Sequence, residues 1–305
     1  GHKLRFRAPR YVRRLFRPTG PAGISLRPRL ALLLALPFLG GLVILCLAHP
    51  KASVSRGIAL ATTVVALGLL GWLTAEWHGT APPRLAVSWI PQLGLEFSLW
   101  LDGPALFWAW LVTVIGFFVL QYSGHYMKPD DAPVRFYATF MIFMGSMLGV
   151  VISRNILLMF LFWEITSISS FILIGHWHHK PTARQGAYRA LMVTGLGGLS
   201  LMAGVALLAW IAHSTGHSNP LNWDVLWGMR ETIIQHPIAP YALFFMLIGA
   251  FTKSAQFPFH FWLPGAMEAP TPVSAYLHAA TMVKAGIYLL GRMYPIFHSM
   301  DMWLY

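Results

Sequence analysis

The sequence predicts an all-α integral membrane protein of about eight transmembrane helices, and three observations carry that prediction. Of its 305 residues, 56% are hydrophobic and only 10% are charged, against roughly 25% charged in a soluble domain. Mean hydropathy is +0.59. Uncharged apolar runs recur at about the 20-residue length a bilayer requires. The single cysteine, Cys46, lies in the first such run. The chain alone therefore forms neither a disulfide nor a thiolate-held cluster. No glycine-rich phosphate loop of either common pattern appears. The chain is expected to bind no cofactor and to do no redox or nucleotide chemistry itself. The net charge of +12 is mostly local: nine of 22 basic residues fall in the first 30 positions. The bilayer, and not nucleic acid, is the expected partner of such a chain.

The basic tail, 1–30, carries Lys3, Arg5, Arg7, Arg10, Arg13, Arg14, Arg17, Arg27 and Arg29 and no acid. An anchor to anionic headgroups, a transit-type presequence and an unstructured arm all fit it, and no function is assigned. The first span is Ala31–Ala48 and the second Gly57–Ala75. A loop with Pro82, Pro83 and Pro91 follows; its segment Leu85–Leu95 is too short to span and reads as a hairpin or an interfacial piece. The third span is Gly103–Gly124, the fourth Phe136–Ser153, the fifth Asn155–Gly175 and the sixth Ala190–Ala212. After a polar loop comes the seventh, roughly Ile238–Leu263, broken at Pro258 because proline removes a donor and clashes with the preceding turn. The eighth is Thr271–Arg292. Residues 31–126 thus form an N-terminal three-helix part with a long extramembrane loop, 134–292 a five-helix unit, and 293–305 the start of another segment.

Lysine and arginine in short loops set orientation. The connections after the first, third and fifth spans carry Lys51, Arg56, Lys128, Arg135, Lys180, Arg184 and Arg189. Those on the other side carry Arg84, Arg154, Arg230 and Arg292. Seven against four places the N-terminus outside, although the tail's charge argues the reverse.

Four ionisable groups stand inside spans. An ammonium at bilayer depth costs about 2.5–3.5 kcal/mol on insertion scales, so Lys253 needs a partner and usually a function. A lysine snorkelling to the interface is the plain alternative, but Lys253 sits mid-span, five residues before the Pro258 break. Glu164 lies near the middle of the fifth span, with Ser167 three residues on and able to share its face. At ~10 Å and an effective dielectric near 20, Glu164 and Lys253 attract by roughly 1.7 kcal/mol, enough to bias a proton on or off the amine and too little to lock it. His278 offers an imidazole that titrates near neutral pH and can relay a proton. Lys284 is a second amine expected to be buried, six residues on and nearly on the opposite side of the helix. His260, past the break, would extend the path towards one surface. The group His176, His178 and His179 has no acid or thiolate close in sequence, so an interfacial loop suits it better than a metal site. Gly195, Gly197, Gly198 and Gly204 predict close helix packing.

Three stretches then carry a resemblance: Leu157–Phe171 (Leu-Leu-Met-Phe-Leu-Phe-Trp-Glu-Ile-Thr-Ser-Ile-Ser-Ser-Phe), Thr252–Pro258 (Thr-Lys-Ser-Ala-Gln-Phe-Pro) and Ala269–Gly286, with its Pro-Thr-Pro-Val-Ser-Ala-Tyr-Leu-His start. Across about residues 30–295 the chain resembles the antiporter-like membrane subunits. These comprise the proton-pumping subunits of respiratory complex I and the large subunits of Mrp-type sodium/proton antiporters, and the A-type subunit of the latter is the nearer likeness. The resemblance implies a five-helix antiporter repeat over the fourth to eighth spans. It also implies a proton path through Glu164, Lys253, His278 and Lys284, with Asp102 in a family Asp-Gly motif. Sodium, protons and other membrane subunits are the implied partners, and a bacterial inner membrane the implied site. The chain would be part of a transporter and not an enzyme, unless it serves as the pumping, non-redox subunit of an NADH:quinone oxidoreductase or membrane-bound hydrogenase. A structural scaffold is the third reading. Two departures stand out: Arg154 replaces a common acid, and a second repeat is expected from further sequence or another chain, leaving about one half-channel here.

Overall fold

The computed structural model describes residues 21–47, 51–77, 82–128, 131–214 and 221–304. Most of the basic tail, and the functions considered for it, therefore lie outside the described residues. Helix α1 runs Pro21–Cys46 and α2 Ala52–Glu76; strands β1 (Arg84–Ile90) and β2 (Leu95–Trp100) follow, then α3 (Gly103–Tyr126), α4 (Pro133–Ile152), α5 (Ile156–Ile174) and α6 (Pro181–His213). Two one-turn helices, α7 (Trp223–Gly228) and α8 (Arg230–Gln235), lead into α9 (Ala239–Lys253). After the break come α10 (Trp262–Ala266), α11 (Thr271–Ser274), a π turn over Ala275–Ala280, α12 (Met282–Phe297) and α13 (Asp301–Leu304). Seven helical stretches are long and apolar enough to cross a membrane, and α9 is a shorter apolar helix.

Local chemistry explains the helix starts. Asp102 caps α3 by accepting from the Ala105 N–H at 3.1 Å, and Asn155 caps α5 by accepting from Leu157 and Leu158. Prolines stand in the first turn of α3, α4, α6 and α9, where their missing N–H costs nothing. Two boundaries differ from the sequence reading. The first helix begins at Pro21 and not Ala31, and Arg29 pairs with Glu76 at 2.7 Å, so the end of the basic segment belongs to the helical body. The sixth begins at Pro181, nine residues before the apolar run, because Pro181 and the following small and polar residues still favour helix.

The seventh span is broken as expected, but the helix ends at Lys253, before Pro258. Pro258 cannot donate to the Ser254 carbonyl and its ring crowds that carbonyl, so the ladder fails one turn upstream. Ala255 adopts a left-handed φ of 49° there. The short Leu85–Leu95 segment is part of an antiparallel hairpin, with Arg84 opposite Trp100 and a bulge between Ser88 and Ile90. The otherwise helical chain carries only this one small sheet among its described residues. Helix α4 is the axis of the bundle, buried along almost its whole length. Aromatic contacts such as the stacked Phe140–Tyr276 pair at 4.5 Å knit it to its neighbours.

The helices alternate in direction, which sorts the loops onto two faces. The hairpin face gathers Arg84, Glu96, Arg154 and Asp224. Arg154 binds Asp224 through two bonds of 2.9 and 2.7 Å, with Glu96 at 3.8 Å and Arg84 at 3.7 Å from Asp224. Arg154, the departure noted above, thus meets two acids. On the opposite face Arg135 donates to the carbonyls of Gly175 and His176, and Thr182 donates to Glu268.

Candidate proton-transfer site

Helix α5 presents Trp163, Glu164 and Ser167, and α9 delivers Lys253 to them as its last residue. A cation there is favoured by the partial negative charge of a helix C-terminus. Lys253 is completely buried. Its Nζ donates to Ser167 Oγ at 2.7 Å and to the Trp163 carbonyl at 3.3 Å, and lies 5.2 Å from the Trp163 ring centroid. Ser167, predicted only to share the face of Glu164, is therefore the direct partner of the amine. Ser169 and Ser170 turn their hydroxyls onto helix carbonyls, which leaves Ser167 as the hydroxyl that reaches the neighbouring helix.

Glu164 is half-buried, and its Oε1 is enclosed without a hydrogen-bond partner. It feels the charge of Lys253 electrostatically, yet no ion pair within 4.0 Å joins them among the described residues. The expected pair is thus a carboxyl and an amine that interact without direct contact, with a serine contacting the amine. Glycine makes room for it. A β-carbon on Gly198 would collide with Glu164 Oε1, and one on Gly197 with Thr252 Oγ1. Further along, Gly204 and Gly249 hold α6 and α9 in contact against Met246 and Leu201. Gly195 has open space beside it and no such role.

His278 is buried on the π turn, its ring 5.9 Å from Trp262, and neither ring nitrogen forms a well-shaped hydrogen bond; the Ala266 backbone is within electrostatic reach. Trp262 in turn donates Nε1–H to the Thr252 carbonyl at 2.9 Å. This indole, absent from the sequence reading, bridges His278 to the residue preceding Lys253. One expectation needs correction. Lys284 is half-buried and not buried; it shares an outward stripe of α12 with the exposed Ile287, Gly291 and Tyr294. It still stands at the level of the break, since the adjacent Val283 carbonyl accepts from Ser254 Oγ at 2.6 Å. His260 is exposed and stacked on Phe257, 6.0 Å between centroids, away from the Lys253 pocket. Pro258 is exposed and acts only through the break.

Asp102 lies outside this pocket. Besides capping α3 it binds the Arg292 guanidinium through both oxygens, at 2.5 and 2.7 Å. Arg292, counted from sequence as a loop charge, is 2% exposed, ringed by Trp100, Trp227 and Tyr288. A lone arginine within four residues of a span's apolar end was the available signal. In the histidine group, His176 Nε2 lies 2.6 Å from the Asp131 carbonyl, and Arg135 NH1 lies 3.3 Å from His178 Nδ1. Burial, outweighing the bond to Asp131, holds the His176 imidazole below its ordinary value. Among the described residues no group of His, Cys, Asp and Glu is placed to hold a metal ion.

Residues 153–305 match the model of the family described as NADH:quinone oxidoreductase/Mrp antiporter, TM. The chain belongs to this family. Residues 89–137 also match the model described as NADH-Ubiquinone oxidoreductase (complex I), chain 5 N-terminus. A relative from Rhizobium meliloti (strain 1021), named as the A/B subunit of a probable K(+)/H(+) antiporter, is 44% identical over 90% of this chain and 27% of its own length. The A1 subunit of a Na(+)/H(+) antiporter from Staphylococcus aureus (strain MRSA252) is 46% identical over 72% of this chain and 27% of its own. This member of the family therefore spans about a quarter of the length of those curated relatives. Among solved structures, the Mrp complex from Dietzia sp. DQ12-45-1b superposes with a TM-score of 0.77 at 35% identity, covering 90% of this chain and 29% of that one. An archaeal membrane-bound sulfane sulfur reductase gives 0.73 at 18% identity, over 88% of this chain and 41% of that one, and shares the fold alone.

Proposed function

We propose that the chain is a proton-translocating membrane subunit of a multisubunit cation/proton antiporter, working beside other membrane subunits in a bacterial inner membrane. One observation carries this reading: a wholly buried lysine at a helix break, held by Ser167 and within the field of a carboxylate that has an unpartnered oxygen. Burial disfavours the charged form of any group, so the charge on Lys253 depends on Glu164 staying near. When the Glu164 side chain swings away, the amine releases its proton towards the imidazole of His278, with Trp262 packed beside the path and not carrying the proton, and Lys284 receives it at the level of the break. His260, out on the surface, serves only the outer end of the path. Sodium is the proposed counter-ion; the names of the relatives divide between sodium and potassium.

The alternative, a pumping subunit of a redox enzyme complex, draws on the same fold, but the curated relatives bear antiporter names. The two separate in everted vesicles containing the intact complex. After ATP hydrolysis has acidified the lumen, adding sodium or potassium chloride without an electron donor is expected to discharge the pH gradient. Proton pumping that appears only with an electron donor would overturn the antiporter reading. A scaffold role predicts that Glu164→Ala leaves the discharge intact, whereas the mechanism above predicts its loss.

A further inference from the structure

Charge pairing in this chain is segregated by face. All six ion pairs among the described residues lie on the hairpin face or beneath it: Arg29–Glu76, Arg84–Asp224, Arg154 with Glu96 and with Asp224, Arg230–Glu231 and Arg292–Asp102. On the opposite face Lys51, Arg56, Lys128, Arg135, Lys180, Arg184 and Arg189 meet no carboxylate within 4.0 Å among the described residues. Of the described acids there, Asp131 is occupied by the Lys128 N–H and the Trp177 indole, and Glu268 by Thr182. Among the described residues, no ion pair within 4.0 Å forms on this face.

The densest part of that charge sits above a lipid-shaped surface. Helix α6 has 33 residues and is about 50 Å long at 1.5 Å per residue, against a hydrocarbon core of about 30 Å. Its overhang at the opposite face places Lys180, Arg184 and Tyr188 at intervals of four on one side, continued down the helix by Met192, Leu196 and Leu199. The last four are 57%, 65%, 65% and 68% exposed. Lys180 and Arg184 are exposed too. The Lys180 amine is set 4.2 Å from the Trp177 ring centroid, and Arg184 reaches the His178 carbonyl at 3.4 Å. Two cations are thus held at headgroup height over an unbroken apolar stripe, with an indole beside them at the depth aromatic rings favour.

We propose that this ledge of α6 binds an anionic phospholipid, its phosphate between Lys180 and Arg184 and its acyl chains along Tyr188, Met192, Leu196 and Leu199. Charge complementarity selects the occupant: a zwitterionic headgroup brings its own ammonium against the two cations, an anionic one does not. The inference stands apart from the proton path, since none of these side chains touches Glu164, Lys253 or His278.

Native mass spectrometry of the purified intact complex, titrated with phosphatidylglycerol or with phosphatidylethanolamine, tests it. Wild type is expected to retain phosphatidylglycerol in preference to phosphatidylethanolamine. In Lys180→Gln/Arg184→Gln, phosphatidylglycerol retention is expected to fall roughly 30-fold, two factors of about five for two basic residues at an anionic surface. Lys51→Gln/Lys128→Gln, on the same face but off the stripe, is expected to keep the wild-type preference. Equal retention of the two lipids by wild type would overturn the site. So would unchanged retention in the first variant, or an equal loss in the second, which would mean a diffuse basic face. All four positions are exposed or lie in loops, so assembly is checked by the subunit mass of the same particles.

Discussion

Ser167 shows what a single side chain decides at this site. The sequence placed it near Glu164 by its i+3 spacing, but the bond that matters runs to another helix, where it accepts from Lys253 at 2.7 Å. Hydrogen bonds to charged groups contribute about 1.5–3 kcal/mol. Ser167→Ala is therefore expected to slow cation-driven proton flux roughly tenfold or more, and Ser167→Thr, which keeps the hydroxyl, far less, as read by vesicle fluorescence quenching. His176 makes a different prediction. Its folded value is depressed, so stability is complete above the ordinary imidazole value of about 6.5 and is lost as pH falls below it, when the unfolded chain takes up a proton that the fold refuses. Thermal unfolding in detergent should move to lower temperature between about pH 7.5 and 5.5, and His176→Asn should flatten that change. The buried polar residues were legible as individuals, because charge is rare in spans. Their partners were not, because a contact between α5 and α9 joins residues 86 apart.

At the scale of elements, glycine and proline set the geometry. The four glycines of the sixth span predicted close packing, and the structure distinguishes among them. Gly197 and Gly198 face Thr252 and Glu164, while Gly195 faces open space. Adding a methyl group to a packed interior costs typically 1–3 kcal/mol. Gly198→Ala displaces the Glu164 carboxylate directly, so it is expected to reduce flux sharply in complexes that still assemble. Gly195→Ala is expected to behave as wild type in the same assay. The break in the seventh span was readable from Pro258, but the helix gives way a turn earlier at Ser254, since the proline's clash falls on the preceding turn. The extra length of α6 was hidden because its first nine residues are too polar to read as part of a span.

For the whole molecule, alternating helices divide the loops into two faces, and among the described residues the ion pairs gather on or beneath the hairpin face. The loop count from sequence found more basic residues on the second face. It misplaced Arg292, which lies inside the bundle with Asp102, Tyr288 and two tryptophans. That ion pair fastens α12 to the start of α3, and Tyr288 donates on to the Val151 carbonyl of α4 at 2.7 Å. Removing one partner of a buried pair costs roughly 3–5 kcal/mol. Arg292→Ala should accordingly lower the thermal stability of the purified complex markedly. Arg292→Lys should recover only part, because an ammonium cannot grip both carboxylate oxygens. No single stretch of sequence announces this fastening, since its members are 190 residues apart.

The proposed proton transport turns on Lys253 carrying the transported proton. The most direct test is cation-driven discharge of a preset pH gradient in everted vesicles, with Lys253→Ala in the otherwise complete complex and assembly verified by subunit content. The predicted result is no discharge above that of vesicles lacking the complex. Discharge at the wild-type rate would contradict it.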